Sequence, residues 1–405
     1  MEKNDNQHGF IAVLSNVRFL LLWLAQVTSQ TADRVFVYIL MIVAYNLTQS
    51  NLGVSIPLIA FGVPSVLFAS LAGVYVDKLD RKGILLVTNI VRGLLILLII
   101  PAASKSLLLI FLISFLIYTA TQFFAPAETS TIPELIDKKY LIVANSLFMV
   151  TWMASSVVGF GLGAPLVNFF GNKNTFIISA ALYFISAMAI FLIPLKFKEP
   201  LQKNKEKPVM DELKMGFEFI RRNDVVRYSL LKLFVAASAI AILSVLAIGY
   251  AKDVLHIGEK NFGYLILVVG FGMILGMGVL EKLTHYLKKG PIVILSFIFS
   301  GLALIGMSLV KDLVSALLLI VVLGVGNIFI TSSIQTILQH RIPRQIRGRV
   351  FGVQNMVINS AFTFPVVIFG YLADLVSIQF SLALLGAGVL LMGLAGIFLP
   401  KFKEA

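Results

Sequence analysis

Two charged residues, Asp33 and Arg34, stand side by side inside an apolar run that extends over roughly residues 17–46. A charge in the middle of a membrane-spanning helix costs a few kcal/mol or more, so it requires a partner, a watery cavity or a function. Gln26, Gln30 and Asp33 fall at spacings of 4 and 3, which places them on one helical face able to line a cavity. Adjacent residues point about 100° apart, so Arg34 is free to face a different helix from Asp33. A carboxyl enclosed in low dielectric can hold a proton that a cationic substrate or Arg34 then displaces, which makes Asp33 a group suited to proton-for-substrate exchange. A second stripe, Tyr118, Gln122, Ala125 and Glu128, runs along a later apolar stretch. Glu128 reads either as a second exchanging group or as a carboxylate that reaches water or meets Arg92. Asn327, Thr331 and Gln335 repeat the pattern, and Gln354, Asn355 and Asn359 follow it. Such residues line a pathway or hydrogen-bond neighbouring helices.

The elements that carry these groups follow from composition. Of 405 residues, 59% are hydrophobic and 13% charged, with a mean hydropathy of +0.95, more apolar surface than a water-soluble domain of this size can cover. A span needs roughly 20 mainly apolar residues. Such runs occur near 17–46, 52–76, 84–103, 107–130, 141–170, 174–195, 229–250, 262–280, 291–310, 314–338, 348–373 and 377–399. Unpaired backbone groups are costly in lipid, so the spans are expected to be helices, and the alternation of an outer-membrane barrel is missing. The expected fold is an all-α membrane protein of twelve transmembrane helices in two six-helix halves. A polar amino end before a long apolar run argues against a cleavable signal peptide.

Several chemistries are excluded or disfavoured. The chain has no cysteine, and its four histidines match no metal-ligand spacing, so neither a metal nor another cofactor is expected. No Gly-Lys-Ser/Thr phosphate loop occurs, which leaves an ion gradient rather than ATP as the energy source. The net charge of +13 follows from topology rather than from nucleic-acid binding. Only Lys105, Lys173, Lys252, Lys260 and Lys311 fall on the odd-numbered connections, so the even-numbered face, with both termini, is expected to be cytoplasmic and the protein to sit in the cytoplasmic (inner) membrane.

A charged segment divides the chain into an N-terminal half (1–195), a cytoplasmic linker (196–228) and a C-terminal half (229–405). Met215, Phe219 and Ile220 give the linker's second part the spacing of an amphipathic helix lying against lipid headgroups. An offset of 207 positions lines up Lys82-Gly83 with Lys289-Gly290 and Glu128 with Gln335, consistent with tandem duplication. Parallel six-helix halves with a site near the midplane are a recurrent transporter plan.

Between the second and third spans stands Gly73-Val-Tyr-Val-Asp77-Lys78-Leu79-Asp80-Arg81-Lys82. It resembles the loop pattern of the major facilitator superfamily, with Asp80 where the pattern has a glycine. A left-handed turn at Asp80 would build that loop, and Gly73 would allow close helix approach. The resemblance implies that Asp77 and Arg81, with Lys78 and Lys82, form a conformational latch. Within the superfamily the chain is similar to bacterial macrolide-efflux proteins and enterobactin-type siderophore exporters. Asn16-Val-Arg18, Trp23, Gln26, Ser29-Gln30-Thr31-Ala32-Asp33, Asn89-Ile-Val-Arg92, Ala125-Pro126-Ala127 and Ala144-Asn145-Ser146-Leu147 carry this similarity. Gly159, Gly163 and Pro165 are similar to the antiporter signature of the fifth span, though small residues for helix packing explain them as well.

These readings converge on a secondary transporter and not an enzyme. The expected activity is proton-coupled export (antiport) of an amphipathic small molecule such as a drug, macrolide or siderophore by alternating access. The expected partners are that substrate, the coupling proton and membrane lipid, and a monomer is expected. Uptake by symport or lysophospholipid flipping on the same fold is the alternative. A non-transporting membrane enzyme or sensor is the remote one, since no catalytic constellation supports it.

Overall fold

A helix leaves its first backbone N–H groups unpaired, and this chain repeatedly places an Asn, Ser or Asp where it can accept from them. Helix α1 (Val17–Thr48) begins at Asn16, whose Oδ1 accepts from the N–H groups of Arg18 (3.0 Å) and Phe19 (3.2 Å). Helices α2 (Asn51–Lys78), α3 (Arg81–Ala102) and α4 (Leu107–Leu135) follow. Helix α5 (Leu141–Phe191) is broken at Gly171, whose φ of 74° and ψ of 171° suit a residue without a Cβ, so it supplies two spans. Next come α6 (Val209–Arg222) and α7 (Asp224–Gly249), which runs on as a π-helical turn to Val254. Helices α8 (Phe262–Tyr286), α9 (Lys289–Leu309), α10 (Leu313–Arg341), α11 (Arg347–Ser360), α12 (Phe364–Leu375) and α13 (Ile378–Ile397) complete the order. Asn223, Asp312 and Ser377 cap α7, α10 and α13. The Ser315 N–H that Asp312 accepts holds its carboxyl below the usual carboxylate range.

In this computed structural model, residues 10, 12–102, 106–194, 209–343, 345–398 and 402 are described, except for the side chains of 70, 74, 77, 78, 153, 209–213 and 285. The linker's first part and the Asp77 and Lys78 side chains of the expected latch lie outside the described residues. Among the described residues, eleven helical stretches are long and apolar enough to span a membrane, with α11 and α12 counted as one. Dividing α5 at Gly171 makes twelve. Large apolar side chains such as Ile142, Phe169, Phe364 and Phe398 are exposed, a surface that suits lipid rather than water. The protein is an all-α, multi-pass membrane protein, as expected from its hydropathy.

The chain forms two compact units, residues 1–43 with 63–206, and residues 44–62 with 207–405. In the first, α3 packs on α4 and α5, and Phe19, Leu22, Leu85, Phe124 and Ile190 share one core. In the second, α9 packs against α10 and α13, and α10 against α8. The amino end of α2 belongs to the second unit for a polar reason. The carboxylate of Asp374, at the end of α12, accepts from the backbone N–H groups of Asn51 (2.8 Å) and Leu52 (2.9 Å) and from Asn51 Nδ2 (2.9 Å). A cap supplied from more than 300 residues away does what Asn16 does locally for α1. Asp374→Ala is expected to destabilise the purified protein by about 1 kcal/mol. A thermal unfolding midpoint equal to wild type in detergent would show that water replaces this cap.

Candidate functional site

The site lies in the first unit and is built around α3. That helix buries Leu85, Thr88, Asn89, Arg92, Ile96 and Ile99, one stripe at spacings of 3 and 4. Arg92 falls in the middle of the stripe and is 0% exposed. An isolated guanidinium there would be very costly, and its surroundings show what offsets the cost. Arg92 Nη1 lies 3.6 Å from Asp33 Oδ2, Nη2 donates to Asn89 Oδ1 at 2.5 Å, and Nε donates to the Thr88 carbonyl at 3.3 Å. The rings of Phe124 and Tyr183 each have their centroid 4.5 Å from the guanidinium carbon. Asn89 Nδ2 in turn donates to Ser186 Oγ at 2.9 Å, and Ser186 Oγ donates to the Ala25 carbonyl at 2.9 Å. This directed chain ties α1, α3 and the second arm of α5 together.

Asp33 Oδ1 accepts from the Tyr183 hydroxyl, while Oδ2 faces Arg92 Nη1 at ion-pair distance, 3.6 Å, with no hydrogen bond between them. Glu128 differs. It is 4% exposed, and its Oε1 is buried with no hydrogen-bond partner among the described residues. It stands one turn after Phe124, whose ring stacks on Arg92, so it is about 6 Å along the α4 axis from that stack. Arg92 and Asp33 are the charges that act on it. The site therefore holds two carboxyl groups and one guanidinium that can answer them.

Arg34 does not join this cluster. Its Cβ packs on Gly159, where an added Cβ would lie 2.3 Å away, and one turn later Tyr38 packs in the same way on Gly163. The two glycines of the α5 motif thus let α1 approach a bare strip of helix, which is the packing reading of that motif; Pro165 lies on the same arm, half-buried. The guanidinium of Arg34 sits 5.9 Å from the Trp152 ring centroid, and its Nε is buried with no hydrogen-bond partner among the described residues.

Several of the remaining expected pathway residues make hydrogen bonds within their own unit. Gln26 donates to the Phe148 carbonyl at 3.0 Å, and Gln122 to Ser65 Oγ at 3.0 Å and the Tyr118 carbonyl at 3.3 Å. Tyr118 is buried with its ring against Phe36, and Gln30 is half-buried. In the second unit Thr331 donates to the Asn327 carbonyl at 2.8 Å, and Gln354 donates to Gln335 at 2.9 Å. Asn355 is exposed and Asn359 half-buried.

The loop motif departs from expectation at Asp80. Asp80 is not left-handed; it caps α3, accepting from the N–H groups of Lys82 (3.2 Å) and Gly83 (2.7 Å), which is how an aspartate serves where the pattern has a glycine. A Cβ built on Gly73 would meet no described atom within 4 Å. Arg81 pairs with Glu134 at 2.6 Å and donates to the Ser130 carbonyl at 2.9 Å, while Lys82 donates to the carbonyls of Phe191 (2.9 Å) and Ile193 (2.7 Å). These cations fasten the loop to the ends of α4 and α5.

With a twelve-span helical fold and a buried charge cluster in place, comparison with known proteins decides the family. Residues 22–365 match the sequence profile of the Major Facilitator Superfamily. The chain belongs to this superfamily. It is 24% identical over 370 residues to the multidrug efflux pump Tap of Mycolicibacterium fortuitum, covering 88% of this chain and 89% of that one. It is 23% identical over 340 residues to the enterobactin exporter EntS of Citrobacter koseri, covering 82% and 79%. In structure it is similar to the nucleoside transporter NupG, with a TM-score of 0.77 at 14% identity over 94% of this chain and 98% of that one, a likeness of fold. The protein is thus a Major Facilitator Superfamily transporter and not an enzyme.

Two residues of the cluster are not among the site residues that the sequence singles out. The sequence offers Arg92 as part of the family-like Asn89-Ile-Val-Arg92 segment and as a neighbour of Glu128, and its place on the stripe of Thr88, Asn89 and Ile96 is a further signal that it points inward. Tyr183 carries no such signal, because a tyrosine in an apolar span is commonplace.

Proposed function

We propose that this transporter is a proton-coupled exporter of amphipathic small molecules, placed in the cytoplasmic membrane with both termini on the cytoplasmic side. The observation that carries the reading is the buried cluster of Asp33, Arg92 and Glu128, in which Glu128 has an oxygen with no hydrogen bond. One guanidinium neutralises one carboxylate. While Arg92 pairs with Asp33, Glu128 is the group that carries the exchangeable proton, since a bare buried carboxylate is costly in this environment. When Glu128 gives up its proton, its charge competes for Arg92 and loosens the ties from Arg92 to Asp33. Asp33 anchors α1, and Arg92 links α1 to α3 and α5, so this competition changes how three helices are held. Such an exchange between two pairings is the kind of bistable element that alternating access requires.

The efflux pumps among the relatives support export, and the excess of Lys and Arg on the even-numbered connections supports the orientation. Asp77 and Lys78, with Arg81 and Lys82, are retained in the proposal as a cytoplasmic latch made in one state and opened in the other. The test is accumulation of labelled macrolides, dyes, siderophores and lysolipids in cells with and without the protein, before and after collapse of the proton gradient. Lower accumulation of at least one compound, abolished by collapsing the gradient, is the expected result. Raised accumulation would overturn export in favour of uptake.

A further inference from the structure

We infer that Arg34 and Trp152 form a recognition site for the negatively charged end of an aromatic substrate, specifically a planar carboxylate. The inference takes the exporter reading only for the role of the bound molecule as cargo. Its basis is an unanswered charge. Arg34 lies in the interior of a 32-residue apolar helix, where a cation needs a counter-charge, and its sequence neighbour Asp33 faces the other way, its ion pair made with Arg92 and its Oδ1 accepting from Tyr183. Among the described residues no carboxylate forms an ion pair with Arg34, and its Nε is buried without an acceptor. Glu128 belongs with Arg92, as its place one turn from the Phe124 stack shows.

The side chain is also aimed. Gly159 lets the Arg34 Cβ seat against the backbone of α5, which fixes where the chain leaves α1 and brings the guanidinium to 5.9 Å from the Trp152 ring centroid. Arg34 is half-buried and Trp152 is 51% exposed, so the pair is open on one side. A guanidinium offers a planar fork that matches a carboxylate through two parallel hydrogen bonds, and an indole beside it offers a face on which an aromatic ring can stack. Lipid phosphates cannot answer this charge, because Arg34 stands near the middle of its span. The arrangement therefore selects an anion with an attached flat ring over the cationic amphiphiles that a lone buried acid would select.

Trp152 supplies the readout. The chain has two tryptophans, so Trp23→Phe leaves Trp152 as the sole indole. With this variant purified in detergent, tryptophan fluorescence is titrated with 4-nitrobenzoate, with 4-nitrobenzamide and with 4-nitrobenzyltrimethylammonium, which share a quenching ring and differ in charge. Saturable quenching by the carboxylate, at least about tenfold tighter than by the amide or the cation, is expected, corresponding to one good charge-assisted contact. Arg34→Gln is expected to remove that preference and Arg34→Lys to keep part of it. Equal affinities for the three probes, a preference that survives Arg34→Gln, or no saturable quenching by any of them overturns the site. Because binding is read without a membrane gradient, failure of proton-coupled export leaves this result standing, and failure here leaves proton-coupled export standing.

Discussion

Glu128→Gln is expected to abolish gradient-driven transport, to the level of cells lacking the protein, while leaving the protein folded and able to bind its substrate. The amide copies the shape and hydrogen-bonding capacity of a protonated carboxyl and cannot release a proton, so it fixes the site in the arrangement where Arg92 answers Asp33. The swap keeps the side chain neutral and of the same size, so the unfolding midpoint should stay close to that of wild type. Substrate exchange down its own concentration gradient, which needs no net proton movement, should be less affected than uphill transport. Full uphill transport by Glu128→Gln would remove Glu128 from the coupling.

The second large effect is structural. Arg92→Met leaves Asp33 as an unanswered buried carboxylate beside Tyr183 and empties the space between two ring faces, so a destabilisation of about 3–5 kcal/mol is expected. Asp33→Asn alone strands the guanidinium and should cost about as much. The double variant Asp33→Asn with Arg92→Met removes both charges, and its loss should fall well short of the sum of the single losses. Thermal unfolding of the four proteins in detergent measures this cycle. Additive losses would mean that the 3.6 Å pair contributes nothing, and the account of Asp33 as an anchor would fail. The double variant should remain unable to couple transport to protons however stable it is.

The difference between these two acids was only partly legible in the sequence. The twelve spans were readable because a bilayer imposes a length and a composition on every one of them. The depth of Asp33 is legible for the same reason, and in the sequence both Asp33 and Glu128 read as candidate proton carriers. The proposed choice of Glu128 over Asp33 rests on which of them Arg92 and Tyr183 reach, and that depends on the packing of α3 and the second arm of α5 against α1. Spacing along one helix cannot supply that information. Asp80 illustrates a related limit, since the same residue type builds a left-handed turn or caps a helix, and only the position of the Lys82 and Gly83 N–H groups distinguishes the two. Gly159 and Gly163 were visible as a motif, but that they receive Arg34 and Tyr38 follows from which helix lies against them.

The central claim is that outward movement of a small molecule is exchanged for protons through Glu128. Its most direct test uses inside-out membrane vesicles, acidified inside by respiration and monitored with a pH-sensitive dye, to which the compound most depleted from cells is added. The account predicts that the compound accumulates in the lumen while protons leave it, and that vesicles carrying Glu128→Gln do neither. Accumulation that persists after the gradient is collapsed, or proton release that is unchanged in Glu128→Gln, would contradict it.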